Sequence, residues 1–228
     1  MTESTPTSAR EALRSRLVSA TPRWYSPELH LALPTLFGLG IAIACFASLP
    51  SPTPASFLMI PITYLISNMT EWRAHRDLLH KRHWLAPVLY DRHTPEHHVI
   101  FITEDMAMRE RREWRLVLIP AYGIFLIFLG VAPTAAFIWW LGFPNAALIH
   151  VAMGMIYTLS YEWLHLSYHL SPEHPIGGLA VVRWLRRHHA IHHDPRLMQR
   201  YNFNVTVPLW DWIRGTIAPD QAGRADTT

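Results

Sequence analysis

The chain has 228 residues, half of them apolar and only 16% charged, with ten tryptophans and a formal net charge of +3. That length suits a single unit, and so low a share of charge points to a membrane protein rather than a soluble domain. The one cysteine, Cys45, excludes an intramolecular disulfide framework and a thiolate cluster, so any metal site must rely on nitrogen and oxygen.

In chain order, residues 1 to about 9 are rich in Thr, Ser and Pro and read as disordered, and a short helix carrying Glu11, Arg14 and Arg16 follows at a membrane surface. Two long stretches then lack Asp, Glu, Lys and Arg altogether, 42 residues from Leu29 to Thr70 and 46 from Leu116 to Tyr161. A spanning helix needs about 20 apolar residues, so each stretch is long enough for a hairpin of two. The first span is expected over His30 to Leu49, with the Pro-rich residues 50–54 as a stiff turn. The second, over about 55–72, carries Tyr64, Ser67, Asn68 and Thr70, a polar stripe suited to facing other helices. The third begins near Leu116, and its end is signalled twice, by Gly130 to Pro133 and by Gly142 to Asn145, with Trp139 and Trp140 between them as an interfacial piece. The fourth runs from about Asn145 to Tyr161 and continues as a helix through His169, and a polar tail covers residues 219–228.

The 20 basic residues fall in three segments, four before residue 29, nine between 71 and 115 and seven after 161. If each charge-free stretch is a hairpin, all three segments share one face, and the positive-inside rule makes that face cytoplasmic, in a bacterial inner membrane or the endoplasmic reticulum. A cleaved signal peptide does not fit, because a long polar stretch precedes the first apolar segment, itself of spanning length. The expectation is an all-α polytopic bundle of about four transmembrane helices in two hairpins with a cytoplasmic histidine-rich helical cap. It forms one membrane-embedded catalytic domain over residues 1–228, both termini cytoplasmic.

Histidines carry the chemical signal. Arg186 to Asp194 places four imidazoles, His188, His189, His192 and His193, in six positions, and neutral imidazole is a common ligand for zinc, iron, copper and nickel. On a helix, His192 and His193 lie about 60° and 40° to either side of His189, so three rings share a face, although a solvated basic run has the same composition. Upstream, Glu71 to His83 holds His75, His80 and His83. Residues five apart on a regular helix diverge by about 140°, so His75 and His80 can share a metal only if the helix bends, and His80 with His83 is the easier pair. An amphipathic basic helix on anionic lipid is the alternative reading of this segment.

In Arg92 to His98, Pro95 is expected to keep Thr94 out of helical geometry and to start a helix whose first turn holds His97 and His98, after His93. His165 and His169, four apart, share a helix face. Glu71 and Glu162, ahead of His75 and His165, are placed to receive a ring N–H or to serve as ligands. Twelve histidines in four groups are too many for one tetrahedral zinc, and two metals sharing about eight to eleven ligands would use them. His150, within a span, reads as an interhelical hydrogen-bonding residue, His30 as interfacial and His174 as a loop residue, while Cys45 and the methionines read as packing.

The series His75/His80, His93/His97/His98, His165/His169 and His189/His192/His193 resembles the histidine boxes of the fatty acid hydroxylase and sterol desaturase superfamily of integral-membrane di-iron enzymes. Asn202 to Thr216 is similar to the segment that closes those proteins, and the likeness covers about residues 30 to 216. The second box is one residue longer than in many hydroxylases and resembles that of membrane desaturases. The resemblance implies two non-haem irons that use molecular oxygen and two electrons to hydroxylate or desaturate a lipid chain, with zinc able to replace iron in isolated protein.

Taken with the residues, it makes His75, His80, His97, His98, His165, His169, His189, His192 and His193 the expected iron ligands. His83, His93 and His188 become supporting ligands or outer partners, and Glu71, Glu162, Asn204 and Asp211 orient the site. The expected partners are a fatty-acyl, sterol or related membrane lipid and an external electron donor (cytochrome b5, ferredoxin or a reductase), since no haem or flavin module is evident and nothing suggests nucleic acid. A non-catalytic metal-binding or transport protein is the other class, but a carrier should place ionisable groups deep in its spans, where this chain has only His150.

Overall fold

The computed structural model describes residues 7–219, which are helices and connecting turns with no strand beyond one isolated bridge between Ile102 and Asp105. Its long helices are α1 (Thr7–Ser19), α2 (Pro27–Ala47), α3 (Met59–Ala74), α4 (Pro87–Arg92), α5 (Ala121–Trp140), α6 (Pro144–Tyr168), α7 (Ala180–His192) and α8 (Leu209–Arg214). Helix α1 starts inside the segment expected to be disordered. Its first residues, Thr7 to Ala9, are ordered because the next turn buries Arg10 and Arg14. Residues 1–6 and most of the expected C-terminal tail lie outside the described residues.

The backbone divides into two units, Ser26–Ser67 with Leu118–Trp163, and Met1–Tyr25 with Asn68–Val117 and Leu164–Thr228. The first is a set of apolar helices. Ser26 caps α2 by accepting the Leu29 N–H, with Pro27 in the first turn, as the start of a helix favours. Ala42, Ile124, Phe128, Ala152, Met155 and Leu159 form its core. Gly38 permits the close approach there, since a Cβ would lie 2.9 Å from the Phe128 ring and 3.0 Å from Leu159. The outward faces are apolar too: Leu36, Ile43, Leu126 and Leu129 are each more than 60% exposed, a surface suited to hydrocarbon rather than water.

Two helical stretches, Pro27–Ala47 and Arg111–Trp140, are long and apolar enough to cross a membrane, with mean hydropathy 2.0 and 2.3. The second and fourth expected spans are also helical, as α3 and α6, but α3 has only 16 residues and α6 carries polar groups along its length. Of the two stop signals for the third span, Pro133 lies inside α5, and the chain turns only at Gly142, whose φ of +88° is a left-handed value that glycine adopts without strain. His150 makes the expected interhelical bonds, to Thr63 Oγ1 at 3.0 Å and Thr134 Oγ1 at 2.8 Å, which ties α6 to α3 and α5.

Candidate metal centre

The second unit gathers ten buried histidines into two groups of five, each with its ligand nitrogens within 4.8 Å of one another. His75, His80, His93, His98 and His192 form the first, and His97, His165, His169, His189 and His193 the second. His83 joins neither, its Nδ1 instead accepting the Leu85 N–H. His188 is likewise outside both, buried against Asp211 with Nε2 3.1 Å from Oδ2. His93, expected in a supporting tier, stands inside the first group.

Local backbone geometry explains who meets whom. Past the end of α3 the chain widens into a π-turn, His75–Leu79, closed by the His80 N–H donating to the His75 carbonyl at 3.2 Å. A bond from i+5 to i puts residues five apart one turn above each other, so the 140° divergence of a regular helix disappears. The His75 and His80 rings then stack, with centroids 5.1 Å apart. The same device recurs after α4, where the π-turn His93–His97 is closed by the His98 N–H on the His93 carbonyl. Pro95 therefore sits within a helical turn instead of starting one. A π-turn leaves part of the regular ladder unmade, and there a residue with no N–H is tolerated.

Adjacent histidines point about 100° apart on a helix, which splits both His-His pairs. His97 joins the second group and His98 the first, and His192 joins the first and His193 the second. The single face expected for His189, His192 and His193 is thus shared between two sites. Each of these segments lines both groups.

Hydrogen bonds set the ring tautomers. Nδ1 lies 2.5 Å from the Phe203 carbonyl in His75, 2.8 Å from Tyr201 O in His192 and 2.9 Å from Leu116 O in His97. In His169 it meets Met106 O at 2.8 Å, and in His193 Phe101 O at 2.6 Å. A carbonyl only accepts, so in each ring Nδ1 carries the proton and Nε2 is left with a lone pair. His80 follows the same logic, because the Thr94 hydroxyl spends its proton on Leu79 O and accepts from Nδ1.

The Nε2 atoms converge. Nε2–Nε2 separations are 2.9 Å for His75 and His93, 2.8 Å for His80 and His192, and 3.0 Å for both His93 with His98 and His189 with His193. Imidazole nitrogens about 2.1 Å from a common metal and at right angles to one another are about 3.0 Å apart, so these spacings suit ligands of one ion. Nε2 of His97 and of His169 are buried without a hydrogen-bond partner among the described residues, atoms a cation would satisfy. Burial holds all ten histidines below their usual pKa, His75 at about 4, and neighbouring rings reinforce it for the other nine, so the rings are neutral and ready to ligate at pH 7. Neither group includes Asp, Glu or Cys, and five imidazoles exceed the four ligands of a tetrahedral zinc, so the donor set fits a metal of higher coordination number.

The residues expected to orient the site act at one remove. Glu71 does not receive the His75 ring proton; that goes to Phe203 O, while Glu71 takes the Val205 and Thr206 N–H groups and the Thr206 hydroxyl. Glu162 accepts from the Ile119 N–H. Asp211 is the centre of the closing segment, accepting from Phe203 N at 2.9 Å, Asn204 N at 2.8 Å, Thr216 Oγ1 at 2.7 Å and His188. Burial alone would raise its carboxyl, but the bonds from His188, Thr216 and Asn204 outweigh that and hold it below the ordinary range. Asn204 adds bonds to Asn68 O and from Asp211 N. Sequence reasoning missed Asn202, whose φ of 58° turns the chain and whose amide bonds His188 O. Asparagine is among the few residues that adopt that conformation readily, which was the available signal.

An all-helical chain in which two groups of five buried imidazoles lie side by side belongs to the class of histidine-box proteins, with two sites able to hold metal. The family model for fatty acid hydroxylase matches residues 60–216, which contain all ten histidines. The chain belongs to that family, part of the fatty acid hydroxylase and sterol desaturase superfamily of oxidoreductases. Comparison with curated proteins and with solved structures gives no match.

Proposed function

We propose that the protein is an oxygen-dependent lipid hydroxylase holding two iron ions, one in each group of five histidines. The observation that carries this reading is the pair of buried all-imidazole groups with converging Nε2 lone pairs. When bound, the irons would supply oxygen activation and hydrogen abstraction from an unactivated C–H bond. The balanced reaction takes one lipid C–H, one oxygen molecule, two electrons and two protons to one C–OH and one water. The ten histidines bind and orient; the backbone carbonyls of Phe203, Tyr201, Leu116, Met106 and Phe101 hold the Nδ1 protons of His75, His192, His97, His169 and His193, which keeps Nε2 of those five rings free for a metal. Phe101 and Phe203, both essentially fully buried and packed on the rings, exclude water from the groups.

In this reading the substrate is a membrane lipid, four helices span the bilayer, and the histidines and both termini face the cytoplasm. Electrons come from an external cytochrome, ferredoxin or reductase. The longer spacing of the His93, His97 and His98 box supports a second reading, desaturation, in which a second hydrogen is removed in place of hydroxyl return and substrate placement decides the outcome. A carrier is disfavoured by the lack of charge in the spans.

Lipid mass spectrometry of cells expressing the wild type with its reductant, beside a His192→Ala variant, tests the proposal. Hydroxylation adds one oxygen atom to a lipid and desaturation removes two hydrogens, and either change disappears in the variant. Purified protein that takes up iron, accepts electrons and leaves every lipid unaltered would overturn it.

A further inference from the structure

We propose that the N-terminal helix α1 is a positioning clamp for the second histidine group alone, acting through Arg14 and Arg10 on the loop that carries two of its orienting carbonyls. This rests on the reading that both groups hold metal. Helix α1 lies outside the residues that the family model matches.

Arg14 is 3% exposed and uses its fork in two directions. Nη1 lies 3.2 and 3.4 Å from the Glu113 carboxylate oxygens, and Nη2 donates to Ile100 O at 3.3 Å. Its guanidinium carbon also stands 5.2 Å from the centroid of the Phe101 ring. Arg10 and Arg14 both reach Asp105 Oδ2, at 3.4 and 3.7 Å. The clamp thus holds the loop at both ends, at Ile100 and Phe101 and again at Asp105.

What the loop does follows from its carbonyls. Phe101 O accepts the His193 Nδ1 proton and Met106 O that of His169, both rings of the second group. Asp105 is the residue before Met106, and its N–H closes the loop on Ile102 O at 2.9 Å. The loop is also fixed to α7, where Thr103 Oγ1 donates to Ala190 O at 2.8 Å. In the first group, His75 and His192 take their orientation from Phe203 and Tyr201, carbonyls of a different segment. A side chain merely fastening α1 would stabilise both groups alike; this arrangement separates them.

The test uses full-length protein in detergent, stripped of metal and titrated anaerobically with ferrous iron, with metal per chain and the Mössbauer spectrum of iron-57 as readouts. Wild type takes up two ions. Arg14→Met binds one as wild type does and the other about 10–100-fold more weakly, the usual effect of losing an outer hydrogen-bond partner, and only one iron signal changes. Asp105→Asn, a partly exposed position, shifts the same site less, because Arg14 keeps Glu113 and Ile100. Two ions with unchanged affinities in both variants, or equal weakening of both sites, overturns the clamp while leaving the metal reading standing. A wild type that takes up no metal overturns both.

Discussion

Acidification should unfold the metal-free protein well above the pH at which carboxylates titrate. All ten grouped histidines have folded-state pKa values depressed from 6.5 by burial, His75 to about 4. Well above pH 6.5 neither state is protonated and nothing is lost. As pH falls through 6.5 the unfolded chain takes up protons that the folded chain refuses, so stability drops. For one ring the loss is RT ln(1 + 10^(6.5 − pH)), on the order of 1 kcal/mol between pH 6.0 and 5.5. Ten rings together give on the order of 10 kcal/mol, comparable with a typical total stability of about 5 to 15 kcal/mol. The apoprotein should therefore lose its helical packing between about pH 6.0 and 5.5. Denaturant titrations in micelles, followed by circular dichroism at pH 7.5, 6.5, 6.0 and 5.5, measure this directly. Ferrous iron, which binds only neutral imidazole, should move the collapse to lower pH. An apoprotein whose unfolding free energy is the same at pH 7.5 and 5.5 would show that the rings are not buried neutral together, and the reasoning about the centre would fail with it.

Other consequences can be checked by substitution. Asp211→Asn replaces a carboxylate that accepts four bonds with an amide that opposes donors on one side; losing about two charge-assisted bonds costs about 3 to 6 kcal/mol, visible as a lowered denaturant midpoint. His93→Ala should reduce metal uptake at one site, whereas His83→Ala should leave both sites filled, since only His93 stands among converging nitrogens; metal analysis of the two variants decides it. Gly38→Leu forces side-chain atoms onto Phe128 and Leu159 and should cost about 1 to 3 kcal/mol, with metal content unchanged; a variant as thermostable as wild type would contradict the close packing there.

Much of the architecture was legible in the chain. Charge-free stretches located the apolar helices because burying charge in hydrocarbon is costly, and the prolines at 50–54 and Gly142 marked helix ends within a few residues, whereas Gly130 to Pro133 lies inside α5. The histidine boxes marked the candidate metal ligands by residue type and number, and a single cysteine, Cys45, left no thiolate cluster and restricted the donors to imidazole and oxygen. His150 was read correctly as a structural residue because an isolated imidazole within an apolar helix needs partners, and Thr63 and Thr134 supply them.

Only the tertiary structure decided how the ligands divide. Regular-helix periodicity separates His75 from His80 and unites His189, His192 and His193; the π-turns reverse the first and the spread of directions along α7 undoes the second. The five-residue spacing of His75 and His80 says only that the helix must bend for them to meet; the π-turn that does it is a local departure from regular periodicity. The orienting groups were equally hidden. Glu71 and Glu162 carried the expected charge at the expected spacing, yet the ring protons go to main-chain carbonyls, which every residue possesses and which therefore leave no trace in residue identity. The sequence by itself determined which atoms could bind metal. Long-range folding, which brings residues 101 to 106, 116 and 201 to 203 against the rings, determined which nitrogen of His75, His97, His169, His192 and His193 keeps its lone pair and which group each ring joins.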